Sequence, residues 1–109
     1  MKLSINLHTL RAALVLATVC GAASNSLANE ALAKKKDCLG CHAVAVKVVG
    51  PSFKDVAAKY AGQSDAVERL VESVRNGSVG KWGDLPMPAQ PKLSERDAKK
   101  LVQWVLKAK

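Results

Sequence analysis

Apolar residues recur at helical spacing in four separate stretches of the chain, each bounded by polar capping residues or glycine. Between residues 30 and 40, Leu32 and Leu39 fall on one face, Lys34, Lys35 and Lys36 on the solvated one, and Gly40 marks the end. Ser52 then caps a short helix in which Phe53, Val56, Ala57 and Tyr60 stand at i, i+3, i+4 and i+7, with Asp55 at the capping-box position and Gly62 as the stop. Ser64 or Asp65 opens a third helix with Val67, Leu70, Val71 and Val74 as its stripe. Asp65 and Glu68 near its start and Arg75 near its end suit the helix dipole, and Asn76-Gly77 closes it. Ser94-Glu95-Arg96-Asp97 reads as the capping box of a last helix, with Ala98, Leu101, Val102 and Val105 inward and Trp104 beside them. Ala43 to Val49 is apolar and β-branched, but no second stretch of that character exists to pair with it. The pattern predicts a helical chain without repeats or low-complexity linkers.

Upstream of these stretches the pattern changes. Lys2 and Arg11 form a positive segment, Ala12 to Ala23 an apolar one, and Ser26-Leu27-Ala28 places small residues where a signal peptidase reads them. Cleavage is expected after Ala28. The apolar run is too short for a membrane anchor, and nothing later is continuously apolar for the roughly 20 residues a spanning helix needs. Residues 29–109 then form one small domain of 81 of the 109 residues. The formal net charge of +8 loses Lys2 and Arg11 and becomes +6. Met1, His8 and Cys20 leave as well, so the mature chain keeps one histidine, His42, one methionine, Met87, and two cysteines, Cys38 and Cys41. Its aromatics are Phe53, Tyr60, Trp82 and Trp104 alone. A domain of this size with so thin a core usually borrows a disulfide, a metal or a cofactor.

The chemistry is concentrated in Cys38-Leu39-Gly40-Cys41-His42. Two thiols three positions apart can add to the vinyl groups of a haem, while the adjacent imidazole binds iron. Structural zinc wants four nitrogen or sulfur ligands and finds only three here. A redox dithiol usually follows a strand and has no use for the histidine. A plain disulfide is chemically possible before haem attachment. The second informative stretch, Gly77 to Lys92, is rich in glycine and proline and contains Pro86-Met87-Pro88. Prolines on both sides deny Met87 a helix and hold its backbone extended, which suits a side chain reaching a metal from a loop. A thioether favours Fe(II), so ligation by histidine and methionine raises the potential relative to two imidazoles. The alternative role for Met87 is to fill a gap in the core.

From Asn29 to Lys109 the chain resembles the small bacterial class I cytochromes c of the c-551/c-552 (c8) group. The resemblance is carried by Cys-x-x-Cys-His, Gly50-Pro51-Ser52-Phe53-Lys54-Asp55-Val56-Ala57, Asn76-Gly77-Ser78, Trp82-Gly83 with Pro86-Met87-Pro88, and Gln103-Trp104-Val105-Leu106, in that order. The group's Met-Pro-Pro is here Met87-Pro88-Ala89, followed by Gln90-Pro91. The resemblance implies an all-α fold of four to five short helices wrapped around one covalently attached haem c. It implies thioether links at Cys38 and Cys41, with His42 and Met87 as iron ligands. Pro51 would offer a carbonyl to the His42 ring N–H, and Trp82 an indole N–H to a haem propionate, the other role for Trp82 being core filler. Trp104 would pack on the first helix near Leu32.

Such coordination leaves iron without an open site, so the expected function is a soluble periplasmic electron carrier and not an enzyme. The resemblance implies donors such as a quinol-oxidising complex or another cytochrome, and acceptors such as nitrite reductase or a terminal oxidase. The positive charge favours redox partners with acidic docking surfaces, with Lys34 to Lys36, Lys47 and Lys81 as candidates around the haem edge and Val44 and Val46 as an apolar contact beside it. Nucleic acid is excluded by the missing aromatic platform. Membrane insertion is not expected, and a monomer is. The competing reading is a five-coordinate haem with a labile Met87, serving as a gas sensor or a small peroxidase-like enzyme; it lacks a distal acid–base pair.

Overall fold

The computed structural model describes residues 21–109. Residues 1–20, which hold most of the expected export signal and Cys20, lie outside the described residues. Four α-helices follow one another: α1 (Gly21–Lys35), α2 (Phe53–Tyr60), α3 (Ala66–Asn76) and α4 (Glu95–Val105), with a 3-10 turn at Cys38–Gly40 between α1 and α2. Among the described residues the only β pairing is a single bridge between Ser78 and Met87. The chain is all-α.

Helix starts follow their capping residues. Ser52 Oγ accepts the Asp55 N–H at 3.0 Å, and Ser94 Oγ accepts the Asp97 N–H at 3.1 Å. Each bond satisfies one of the backbone donors that a helix start leaves orphaned. Asp65 precedes α3 without a side-chain cap. The first helix differs from the expected 30–40 span. It begins upstream of Ala28 and runs through it unbroken, because Leu27, Ala28, Glu30, Ala31, Leu32, Ala33, Lys34 and Lys35 are almost all strong helix formers. Glu30 and Lys34 pair across one turn at 2.8 Å. It then stops at Lys35, because Asp37 takes the left-handed conformation with φ of 58° and turns the chain into the Cys38–Gly40 bend. That break swings Lys36 from the solvated face to a half-buried position.

The core lies where α2, α3 and α4 converge. Val56 and Tyr60 from α2, Ala66 and Leu70 from α3 and Val102 from α4 form one buried cluster; Ala33 of α1 joins Leu93, Ala98 and Leu101 in a second. Leu32, Leu39 and Trp104 pack against the second cluster, so the last helix does close on the first. Phe53, Val56, Ala57 and Tyr60 are all buried, as their spacing requires. On α3 the inward face is rotated from the expected stripe: Ala66, Leu70 and Ser73 are the buried residues, and Val67, Val71 and Val74 are half-buried. Among the described residues no helix is long and apolar enough to cross a membrane.

Candidate functional site

All four helices and two loops open onto one cavity of about 290 Å³. Cys38, Cys41, His42, Pro51, Trp82 and Met87 all line it, together with a floor that includes Phe53, Leu70, Val74, Leu101 and Val102. The sequence spreads these six candidates over nearly half the chain, and the fold gathers them around one space.

The 3-10 turn builds the cysteine–histidine corner. Cys41 N–H and His42 N–H both donate to the Cys38 carbonyl, at 3.3 and 3.0 Å, and the Gly50 N–H returns to the Cys41 carbonyl at 2.8 Å. The hairpin-like return brings Pro51 under the imidazole, where its carbonyl accepts a hydrogen bond from His42 Nδ1 at 2.7 Å. A carbonyl can only accept, so the proton sits on Nδ1 and the Nε2 lone pair is free. Phe53 stacks on the ring with centroids 5.4 Å apart and planes at 22°, and Trp104 meets Phe53 edge-on at the same distance. Gly50 is the residue that sequence reasoning passed over. A Cβ there would stand 2.8 Å from His42 Nδ1 and 2.9 Å from Nε2, so the ring occupies the space a side chain would need. Its signal was only its place before Pro51.

Cys38 is half-buried and Cys41 exposed, and both are free thiols. Burial pushes the Cys38 thiol above its ordinary value, and the Asp37 carboxylate adds to the shift while a backbone N–H opposes it. Met87, also in the lining, is half-buried. Its N–H donates to the Ser78 carbonyl at 2.8 Å, and its carbonyl accepts from the Ser78 N–H at 3.1 Å. With Pro86 and Pro88 lacking donors, that paired bridge holds the methionine backbone in place. The bridge requires close approach at Gly77, where φ is +80° and a Cβ would stand 2.8 Å from the Met87 carbonyl oxygen. Three residues after Met87, the Gln90 N–H donates to the Val74 carbonyl at 3.0 Å and ties the loop to the end of α3. Ser78 was marked only by the Asn76-Gly77-Ser78 resemblance, and its pairing role was hidden because a two-residue bridge has no periodicity. Trp82 is half-buried beside the first core cluster, with the Lys59 ammonium 4.2 Å from its ring centroid. Of the lysines expected at the rim, Lys36, Lys47 and Lys81 line the cavity, whereas Lys34 turns outward to Glu30.

The cavity has the character of a haem seat: a largely apolar body whose lining holds two free thiols, a histidine with its Nδ1 engaged and a thioether. Comparison with known proteins agrees, since the family model described as Cytochrome c matches residues 28–109. The chain belongs to the cytochrome c family. It is 46% identical to cytochrome c-552 of Hydrogenobacter thermophilus over 95 residues, covering 87% of this chain and 96% of that one. It is 49% identical to cytochrome c-551 of Pseudomonas aeruginosa over 80 residues, 73% of this chain and 76% of the other. The crystal structure of wild-type cytochrome c552 from Nitrosomonas europaea superposes with a TM-score of 0.72 at 49% identity, covering 73% of this chain and 99% of that chain. One covalently attached haem c is therefore the cofactor, with Cys38 and Cys41 at the spacing such attachment uses, and this cytochrome c is a small electron carrier.

Proposed function

We propose that this cytochrome c is exported to the periplasm, loses residues 1–28, and carries single electrons through a six-coordinate haem. In this reading Cys38 and Cys41 hold the porphyrin by thioethers, and His42 Nε2 and Met87 Sδ bind the iron. The observation that carries it is the Nδ1–H bond from His42 to Pro51, which commits one ring nitrogen and leaves the other for a metal within the same cavity that Met87 lines. Ser78 holds Met87 through its backbone, so the thioether approaches from a fixed point. Trp82, half-buried on the same wall, serves as an indole N–H donor to a haem propionate.

Haem supplies a one-electron Fe(III)/Fe(II) couple, and the chain's part is to keep its ligation the same in both states. The His42–Phe53–Trp104 ring contacts and the paired Ser78–Met87 bridge oppose movement of either ligand. Electrons pass from a quinol-oxidising complex or another cytochrome to an acceptor such as nitrite reductase or a terminal oxidase. Partners with acidic docking surfaces suit the lysines on the rim, and the exposed Val44 and Val46 supply apolar contact beside them. The test is the absorption spectrum of the purified protein in both oxidation states, with a carbon monoxide challenge. Low-spin bands, a weak near-infrared sulfur-to-iron band and indifference to carbon monoxide are expected. A high-spin spectrum that shifts with carbon monoxide would overturn the carrier reading in favour of a gas-binding or peroxide-using haem.

A further inference from the structure

Ser73 lies on the inward face of α3 beside Leu70, with only 5% of its surface exposed. Apolar packing alone has no use for a hydroxyl there. The hydroxyl proton goes to the Arg69 carbonyl at 2.9 Å, which leaves its lone pairs for another donor. That donor is the Lys81 ammonium, with Nζ 2.6 Å from Ser73 Oγ. Lys81 is fixed from its other end, because its carbonyl accepts from Lys59 Nζ at 2.7 Å, and the same Lys59 ammonium stands over the Trp82 ring. Thus α2, α3 and the loop between α3 and α4 bring two cations to one corner, with Ser73, Lys81 and Trp82 on the cavity wall. Among the described residues neither lysine forms an ion pair; the acidic rim residues Asp37 and Asp84 engage neither. The ammonium is thus held against a buried hydroxyl at the edge of a mostly apolar cavity, and among the described residues no carboxylate pairs with it.

We propose that Lys81, anchored by Ser73 and backed by Lys59, holds a carboxylate of the haem and raises the reduction potential of the iron. The inference rests on the reading that haem fills this cavity. The physical link is Coulombic. Oxidation adds one positive charge at the iron, and a cation fixed on the wall of the same cavity disfavours that state over a range too short for salt to screen it fully.

The experiment is spectroelectrochemical titration of the haem-loaded protein at low and high ionic strength, comparing wild type with Lys81→Gln, Lys81→Arg, Ser73→Ala and Lys99→Gln. Lys99 is an exposed lysine of α4 away from the cavity and serves as the charge control. Proton NMR of the propionate methylenes gives a second readout. The expected result is a lower potential for Lys81→Gln that persists in high salt, with displaced propionate resonances, a smaller drop for Ser73→Ala, and near wild-type behaviour for Lys81→Arg. If Lys81→Gln matches Lys99→Gln and its shift vanishes in salt, the lysine is an ordinary surface charge and the proposal fails. Absence of any haem spectrum would instead sink the underlying cofactor reading.

Discussion

A single methyl group decides how His42 sits. The imidazole lies where a side chain at residue 50 would be, and its Nδ1 is bound to the next carbonyl along. Gly50→Ala must therefore displace either the ring or the loop. It is expected to cost about 1–3 kcal/mol, the usual range for overpacking, and to shift the His42 ring resonances; thermal unfolding followed at the haem band and NMR check both. At Met87, the proposed second ligand, side-chain chemistry is expected to matter more than volume. Met87→Ala should abolish the near-infrared sulfur band and admit carbon monoxide, whereas Met87→His should keep a low-spin spectrum at a lower midpoint potential, because imidazole favours Fe(III) more than a thioether does. A Met87→Ala protein that retained the sulfur band would remove Met87 from the coordination scheme.

Elements are held by caps and by two small core clusters. Ser94→Ala removes the bond to the Asp97 N–H and should cost about 1 kcal/mol. Leu93, 4% exposed between Ala33, Ala98 and Leu101, should cost about 2–5 kcal/mol when cut to alanine. Denaturant titrations of the haem-loaded variants measure both, and a Leu93 change without effect would mean the second cluster is not a core. This is also the scale at which the sequence was most readable. α2 and α4 stood out because a serine cap and a period of 3.6 coincide in each, and the four residues spaced for burial on α2 are all buried. The break after Lys35 was hidden, since a left-handed aspartate leaves no pattern in a run of lysines. The turn of α3 toward Ser73 was hidden too, because a buried serine reads as polar until its partners, eight residues and one turn away, are known. At the site, Cys38, Cys41 and His42 were legible from spacing and Met87 from its flanking prolines, whereas Pro51 and Trp82 were marked only by the family resemblance. The roles of Gly50 in making room and of Ser78 in pairing backbone were not legible.

At the scale of the whole molecule, the cavity stands at the middle of the packing rather than beside it, since helices and loops alike turn residues of both core clusters toward it. A domain this small has little else to bury. The chain with Cys38 and Cys41 replaced by serine and any non-covalently bound haem extracted is expected to lose most of its far-ultraviolet helix signal, and full helicity without haem would show the apolar core to be sufficient. The surface adds a second large-scale property. Net charge of +8 for the full chain, Lys36, Lys47 and Lys81 at the cavity rim, and exposed Val44, Val46, Val48 and Val49 on the neighbouring loop describe a basic, partly apolar contact zone. Electron exchange with an acidic redox protein should slow as ionic strength rises, as stopped-flow rates would record.

His42 and Met87 together are expected to close the coordination of iron, and proton NMR of the reduced protein reads this at the methionine itself. A methionine methyl seated over a haem is driven far upfield by the ring current. One such methyl resonance, connected to Met87 by its side-chain couplings, is expected, and it should disappear in Met87→Ala. A reduced protein with no upfield methyl, or with one that survives that substitution, would contradict it.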